Sequence, residues 1–248
     1  MTCRPLVALI LLAGACATAR AAEPATRPTT RPTTRPTLTD AETQAGWKLL
    51  FDGVSTAGWR GLGRDDFPAG RWVVQDGCLR CLGNAGSKAK ADDLVPTQQF
   101  ENFELSFEWM TPKKGGNSGV KYRVQEKKGE GFAFGPEYQC IDDGDKVDKG
   151  ATGSLYDVLP PHDKKVNPAG QFNQSKIVVR GDHVEHWLNG VKVLEYDFGG
   201  DALKAAVAQS KFKTSATWGK TPRGYIALQD HNDEVWFRNI KVRELTAK

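Results

Sequence analysis

The stretch Asn102-Phe103-Glu104-Leu105-Ser106-Phe107-Glu108-Trp109-Met110 alternates apolar and polar side chains without a break up to Met110. A period of two is the mark of a half-buried strand. It assigns Phe103, Leu105, Phe107 and Trp109 to a core, and Glu104, Ser106 and Glu108 to the opposite face. The pattern recurs on either side. Upstream, Trp72–Gln75 and Cys78–Leu82 flank Asp76-Gly77, a strong hairpin signal. Ala45–Phe51 reads as a further short strand closed by Asp52-Gly53. Downstream, Lys176–Arg180, Val184–Leu188 and Val191–Tyr196 are joined by Gly181-Asp182 and Asn189-Gly190 into a meander. Gly224–His231 and Val235–Val242 end the series, and only Ala202–Gln209 reads as helical. Short strands, Gly-rich turns and almost no helix predict an all-β fold. The expected architecture is a jelly-roll β-sandwich of two antiparallel sheets with one concave face. There is no repeat of fixed period, which speaks against a propeller or solenoid.

Within this frame, Gly116–Asp142 holds the first candidate site. Asn117, Gly119, Lys121 and Arg123 alternate with Val120, Tyr122 and Val124, and Glu137 and Gln139 alternate with Tyr138 and Cys140. Two neighbouring strands of this kind set a guanidinium, amides and a carboxylate on one sheet face. The last hairpin adds to it. With Ile226, Leu228, Val235 and Phe237 in the core, Tyr225, Gln229 and His231 face the other way, as do Trp236 and Arg238. If these are one concave face, it carries Asn117, Lys121, Arg123, Glu137, Gln139, Gln229, His231 and Arg238, with Glu108 nearby. Trp236 and Tyr225 then offer flat surfaces for stacking on a sugar. A merely solvated face is the plain alternative, but such faces are usually rich in Lys and Glu rather than Asn, Gln, His and aromatics. His186 alternates with Val184 and Leu188 and reads as a core or edge histidine, while His162 is a candidate rim contact.

The first 21 residues resemble a secretory leader, with Arg4, an apolar run over 6–15 and an Ala19-Arg20-Ala21 cleavage site. That run is too short for a membrane-spanning helix, which needs about 20 residues, and nothing later is long and apolar enough. Soluble export to the periplasm or medium is expected, with lipoprotein processing at Cys16 as the weaker alternative. Residues 22–40, with their Thr-Arg-Pro repeat, read as a disordered spacer, and residues 41–248 as one domain. The formal charge is +4, and residues 1–40 hold five arginines against two acids. The domain itself is therefore near neutral, which gives no support for nucleic-acid or membrane-surface binding. Cys78, Cys81 and Cys140 are too few and ill-placed for a disulfide framework, since Cys78 and Cys81 fall on opposite faces of a strand.

Asp142, Asp143, Asp145 and Asp148 lack the order and terminal Glu of a calcium-binding EF-hand loop. A retaining glycosidase needs two carboxylates about 5–5.5 Å apart. Glu137 is followed two residues on by Gln139 and four on by Ile141, so its strand lacks the second acid.

Several segments together resemble a known family: Trp47–Gly53, Phe103–Trp109, Asn117–Val120, Glu137–Gln139, His186–Gly190, Leu228–His231 and Phe237–Ile240. They are similar to the 3-keto-disaccharide hydrolase domain, also described as a 3-keto-glucoside 1,2-lyase / 3-keto-2-hydroxy-glucal hydratase domain. The resemblance implies a concanavalin A-like jelly roll and activity on glycosides already oxidised to a ketone at C3. It also implies an order of events in which one base removes the acidified C2 proton, the C1 substituent leaves, and water adds. The expected machinery is Glu137 and His231 as base and acid, in either assignment, and Arg123 as enolate stabiliser. Asn117, Gln139 and Gln229 would meet sugar hydroxyls. A divalent metal ion on Glu137 and His231 is the alternative stabiliser. A non-catalytic carbohydrate-binding module and a conventional glycoside hydrolase are the competing readings.

Overall fold

The computed structural model of the chain describes residues 35–126 and 132–246. The expected leader and residues 22–34 of the expected spacer lie outside them. Within the described residues, two antiparallel sheets face each other across one core. The larger contains β1 (Lys48–Leu49), β3 (Trp72–Gln75), β4 (Cys78–Cys81), β6 (Phe103–Met110), β9 (Asn173–Arg180), β10 (His183–Leu188), β11 (Val191–Asp197) and β13 (Val235–Glu244). Its order is β11-β10-β9-β6-β13-β4-β3, with β1 paired to the second half of β13. The smaller contains β2 (Trp59–Gly61), β5 (Leu94–Pro96), β7 (Asn117–Val124), β8 (Glu137–Ile141) and β12 (Tyr225–Leu228), in the order β2-β5-β12-β7-β8. This is the expected all-β jelly-roll sandwich.

The turns explain the pairing. Asp76 and Gly77 (φ 50° and 75°), like Asn189 and Gly190 (φ 48° and 85°), take the left-handed backbone that a two-residue hairpin requires. The helix read over 202–209 is α3 (Asp201–Ala208); α1 (Asp40–Gln44) and α2 (Gly83–Gly86) were not foreseen. Helix α1 starts on a capping box, in which the Thr39 hydroxyl accepts from the Glu42 N–H and the Glu42 carboxylate accepts from the Thr39 N–H.

Phe103, Leu105, Phe107 and Trp109 of β6 are all buried, and the Phe107 ring meets Tyr138 of the facing sheet edge-on, with centroids 5.8 Å apart. Truncating such a ring to alanine costs about 3–5 kcal/mol. The core is not wholly apolar. Tyr122 Oη lies 2.8 Å from His186 Nε2, and His186 Nδ1 lies 2.9 Å from the Gly153 carbonyl. His186 is thus a satisfied core histidine, its pKa pushed down to about 4 by burial. Cys78, Cys81 and Cys140 are free and buried, and desolvation pushes the Cys78 thiol up to about 12.

The acidic loop after β8 is occupied by protein donors. Asp143 binds Lys164 Nζ at 2.6 Å and the Thr152 N–H, Asp142 accepts from the Gly115 and Ala169 N–H groups, and Asp148 pairs with Lys146.

Candidate active site

Strands β7 and β8 pair as expected, with Gly119 opposite Gln139 and Lys121 opposite Glu137. Strand β12 lies on the other side of β7, and the Gln229 N–H continues that ladder by donating to the Gly119 carbonyl at 2.9 Å. Gln229 and His231 therefore follow the end of β12 into the same place. Together these elements line a cavity of about 330 Å³ on the face of the smaller sheet turned away from the core. It holds six of the expected residues: Asn117, Lys121, Glu137, Gln139, Gln229 and His231.

Glu137 is its centre. It is 6% exposed, and its carboxyl lies across the bare backbone of Gly119. A β-carbon at position 119 would fall 2.2 Å from Glu137 Oε1, so only glycine leaves room for the carboxyl in this position. Oriented to satisfy their neighbours, the amides of Gln139 and Gln229 both donate to Oε1, at 3.2 and 3.3 Å. The oxygen of Gln229 then accepts from Lys121 Nζ at 3.0 Å. Burial pushes the Glu137 pKa up to about 7, against the opposing pull of Lys121 and Lys211. Among the described residues, Glu137 is the only carboxylate lining this cavity.

Beneath Lys121 sits a residue that sequence reading missed. Asp93 is fully buried just before β5; its Oδ2 accepts from the Ala133 N–H at 2.8 Å and lies 3.5 Å from Lys121 Nζ, and its Oδ1 accepts from the Asp230 N–H at 2.9 Å. One carboxylate thus ties three walls of the cavity together. Asp230 is itself paired with buried Arg71. Tyr156, Lys211, Phe134 and Phe212 complete the lining from loops. Lys211 Nζ lies 4.2 Å from the centre of the Tyr156 ring. No periodic signal marks these positions, because they do not lie in strands.

The remaining expected residues are not brought to the cavity. Arg123 takes a left-handed backbone (φ 53°) at a register shift between β7 and β12, and this bulge breaks the alternation. Beyond it, Val124 joins Ala227, Val95 and Leu62 on the outer face. The Arg123 guanidinium turns away to the Gly219 and Gly181 carbonyls and packs 3.8 Å from the centre of the Phe198 ring. Glu108, Trp236 and Arg238 belong to the larger sheet, whose outer face is on the far side of the sandwich. There Arg238 and Asn239 bind Glu108, each at 2.7 Å, and Trp236 donates to Glu234 beneath Arg80. Tyr225 does share the outer face of the smaller sheet but lies at the other end of β12, under Arg60. Four residues of strand separate it from Gln229 by about 13 Å. His162 is exposed beside Asp163, away from the cavity lining.

The donor set does not fit a divalent cation. Glu137 and His231 have no third carboxylate, histidine or cysteine converging with them among the described residues, and Lys121 supplies the positive charge beside Glu137. A His–Glu–Glu group of metal-binding type does form at His183, Glu185 and Glu195, but on the β10–β11 hairpin, where Lys192 bonds to both glutamates.

A single desolvated carboxyl, cushioned by amides and a buried lysine, is a site for moving a proton. Residues 46–243 match the family described as the 3-keto-alpha-glucoside-1,2-lyase-like domain. The chain belongs to this family. A 3-keto-disaccharide hydrolase of Bacteroides thetaiotaomicron is 35% identical to it over 231 residues, covering 81% of this chain and 79% of that protein. A crystal structure from Parabacteroides distasonis, assigned provisionally as a glycosyl hydrolase, superposes with a TM-score of 0.75 at 31% identity over 86% of this chain and all of the other. A second such structure from the same organism gives 0.59 at 26% identity over 80% of this chain and 99% of the other. Membership places the chain among carbohydrate-active hydrolases.

Proposed function

We propose that this chain cleaves 3-keto-glycosides by elimination followed by hydration. The observation that carries the proposal is Glu137, the one carboxylate among the described residues of the cavity, with a pKa raised to about 7. Among the described residues the lining holds no second acid for displacement at the anomeric carbon, whereas a base poised near neutrality suits removal of a proton from carbon. The C3 ketone acidifies C2–H. Glu137 takes that proton, the C1–O bond breaks, and a C1=C2 bond forms in conjugation with the ketone. The Lys121 ammonium stabilises the negative charge that gathers on the C3 oxygen in passing. His231, half-exposed at the mouth, gives its proton to the departing oxygen. Water then adds at C1 and gives its proton to His231, while the Glu137 carboxyl, exchanged with solvent after the leaving group departs, protonates C2, so the net change is hydrolysis. Asn117, Gln139 and Gln229 hold the sugar hydroxyls.

The test uses purified protein with p-nitrophenyl 3-keto-α-glucoside and with the unoxidised glucoside. Only the first is expected to release nitrophenol, and in D2O the sugar product is expected to carry deuterium at C2. Equal turnover of both glycosides, or product without deuterium at C2, would overturn the mechanism. Export belongs to the same proposal: a mature chain beginning at Ala22 in the extracytoplasmic fraction is the expected product of the full-length sequence.

A further inference from the structure

Large exposed apolar side chains are few among the described residues, and two of them, Phe132 and Phe134, flank a single alanine. They are 53% and 47% exposed, while Ala133 between them is buried against Leu62, Val95, Val124 and Ala227. Scattered exposed apolar residues need no explanation, but a pair at the rim of a cavity marks a contact surface. The backbone beneath the pair is fixed at both ends of one residue. The Ala133 N–H donates to Asp93, and the Ala133 carbonyl accepts from Lys121 Nζ at 3.1 Å. The two groups that pin this ridge are therefore the same ones that set the floor beside Glu137.

Each ring neighbours a cavity or one of its lining residues. Phe134 lines the Glu137 cavity and is backed edge-on by Phe212, which in turn stacks on Trp218 with centroids 4.9 Å apart. The ring centre of Phe132 lies 5.9 Å from Lys90 Nζ. Lys90 belongs to a second cavity of about 550 Å³, lined also by Arg64, Asp66, Phe67 and Asp92. Asp92 is 8% exposed, its Oδ2 is held by Arg64 at 2.9 Å, and its Oδ1 has no hydrogen-bond partner.

We propose that Phe132 and Phe134 form the platform for the leaving group, and that its occupant is a second pyranose ring. The apolar face of the sugar covers the two aromatic rings, and its hydroxyls reach the polar groups of the second cavity. The cavity around Glu137 then holds the oxidised ring alone. This assignment rests on the proposed reaction for the position of the oxidised ring. It goes beyond that reading in naming the residues that select a disaccharide over a small alkyl glycoside.

The experiment compares wild type with Phe132→Ala and Phe134→Ala on 3-keto-maltose and on methyl 3-keto-α-glucoside. Both rings are substantially exposed, so the variants are expected to fold, with melting temperatures close to wild type. An aromatic contact of this kind is worth about three- to tenfold in affinity. KM for 3-keto-maltose is expected to rise by that factor in each variant with kcat unchanged, while in Phe132→Ala, whose ring is not part of the Glu137 cavity lining, KM for the methyl glycoside stays the same. Rescue by Phe134→Tyr is expected. Equal effects of Phe132→Ala on both substrates, or no effect on either, would overturn the platform. Should the wild type turn over neither substrate, calorimetry with unoxidised maltose separates the two ideas. Binding weakened by Phe134→Ala keeps the platform while the reaction fails; maltose that does not bind wild type, or binds both proteins alike, removes the platform as well.

Discussion

Replacing Glu137 with glutamine is expected to destroy activity and to raise stability, but only on the alkaline side. The carboxyl pKa is about 7 in the folded chain against an ordinary 4.5. Ionising it inside the protein therefore costs about 3 kcal/mol more than ionising it in the unfolded chain. The sign follows from linkage. For an acid whose pKa is raised by folding, the protonated form favours the fold, so its contribution is fully present below 4.5 and is lost as pH rises through 7. At pH 9 the wild type bears that full loss, and the neutral isostere does not. For a domain of this size, 3 kcal/mol corresponds to about 6–12 °C in melting temperature. The assay is thermal unfolding of both proteins at pH 5 and pH 9. Any hydrogen bonds to Gln139 and Gln229 that the substitution disturbs affect both pH values alike, so the change in the gap between the curves isolates the buried charge. The variant is expected to gain about 6–12 °C on wild type between pH 5 and pH 9. A gap that does not change with pH would refute the desolvation of Glu137, and with it the account of how the base is tuned.

Three further perturbations separate the parts of the site. Gly119→Ala places a methyl group against the Glu137 carboxyl and should lower kcat/KM by about a hundredfold or more, as misplacing a catalytic group does, while the far-UV circular dichroism stays that of the wild type. Asp93→Ala leaves Lys121 without its buried counter-charge and frees the Ala133 and Asp230 N–H groups; a loss of about 3–5 kcal/mol in urea unfolding is expected. Trp236→Ala removes a ring on the opposite sheet and should leave kcat/KM within about twofold, since surface changes remote from a site are usually small; a loss of sugar binding there would favour the binding-module reading. The kcat/KM profile should rise with pH through about 7 as Glu137 ionises, and a flat profile from pH 5 to 9 would exclude it as the base.

Much of the site was legible because strand alternation projects side chains in a fixed order. It carried Asn117, Lys121, Glu137, Gln139, Gln229 and His231 to one place correctly. The same rule failed at Arg123 for a local reason. One residue with φ 53° reverses the faces beyond it, and no glycine stands there to announce a bulge. It failed differently for Trp236, Arg238 and Glu108. Each points away from the core as alternation requires, but a sandwich has two outer faces, and periodicity does not say which sheet a strand joins. Strand β13 pairs with β4 and β6 in the larger sheet, although the short connection after β12 made a common sheet the simpler expectation. Tyr156, Lys211 and Phe134 carry no periodic signal, and Asp93 sits beside an edge of apolar residues where a buried acid is costly and so not anticipated.

That cost is where the electrostatics of the site become coherent. Asp93 buried alone would be held neutral by desolvation, which does raise its pKa, and Lys121 is the group that opposes the shift. Lys121 in turn lowers the pKa of Glu137, while Asp93, on the other side of the lysine, raises it. The Glu137 pKa is thus a balance in which burial dominates, Lys121 and then Lys211 oppose it, and Asp93 adds a smaller push upward. Free of Asp93, the lysine would draw the Glu137 pKa back toward that of an ordinary carboxylate, which is a weaker base for a carbon acid. Free of Lys121, the carboxyl would stay protonated at neutral pH and could not begin the reaction. Asp93→Asn, which removes the charge and keeps one of the two acceptor oxygens that now meet the Ala133 and Asp230 N–H groups, separates these effects. It is expected to move the rising limb of kcat/KM to lower pH and to reduce the maximal rate, whereas a change in rate with no movement of the limb would show that Asp93 acts by holding the walls alone.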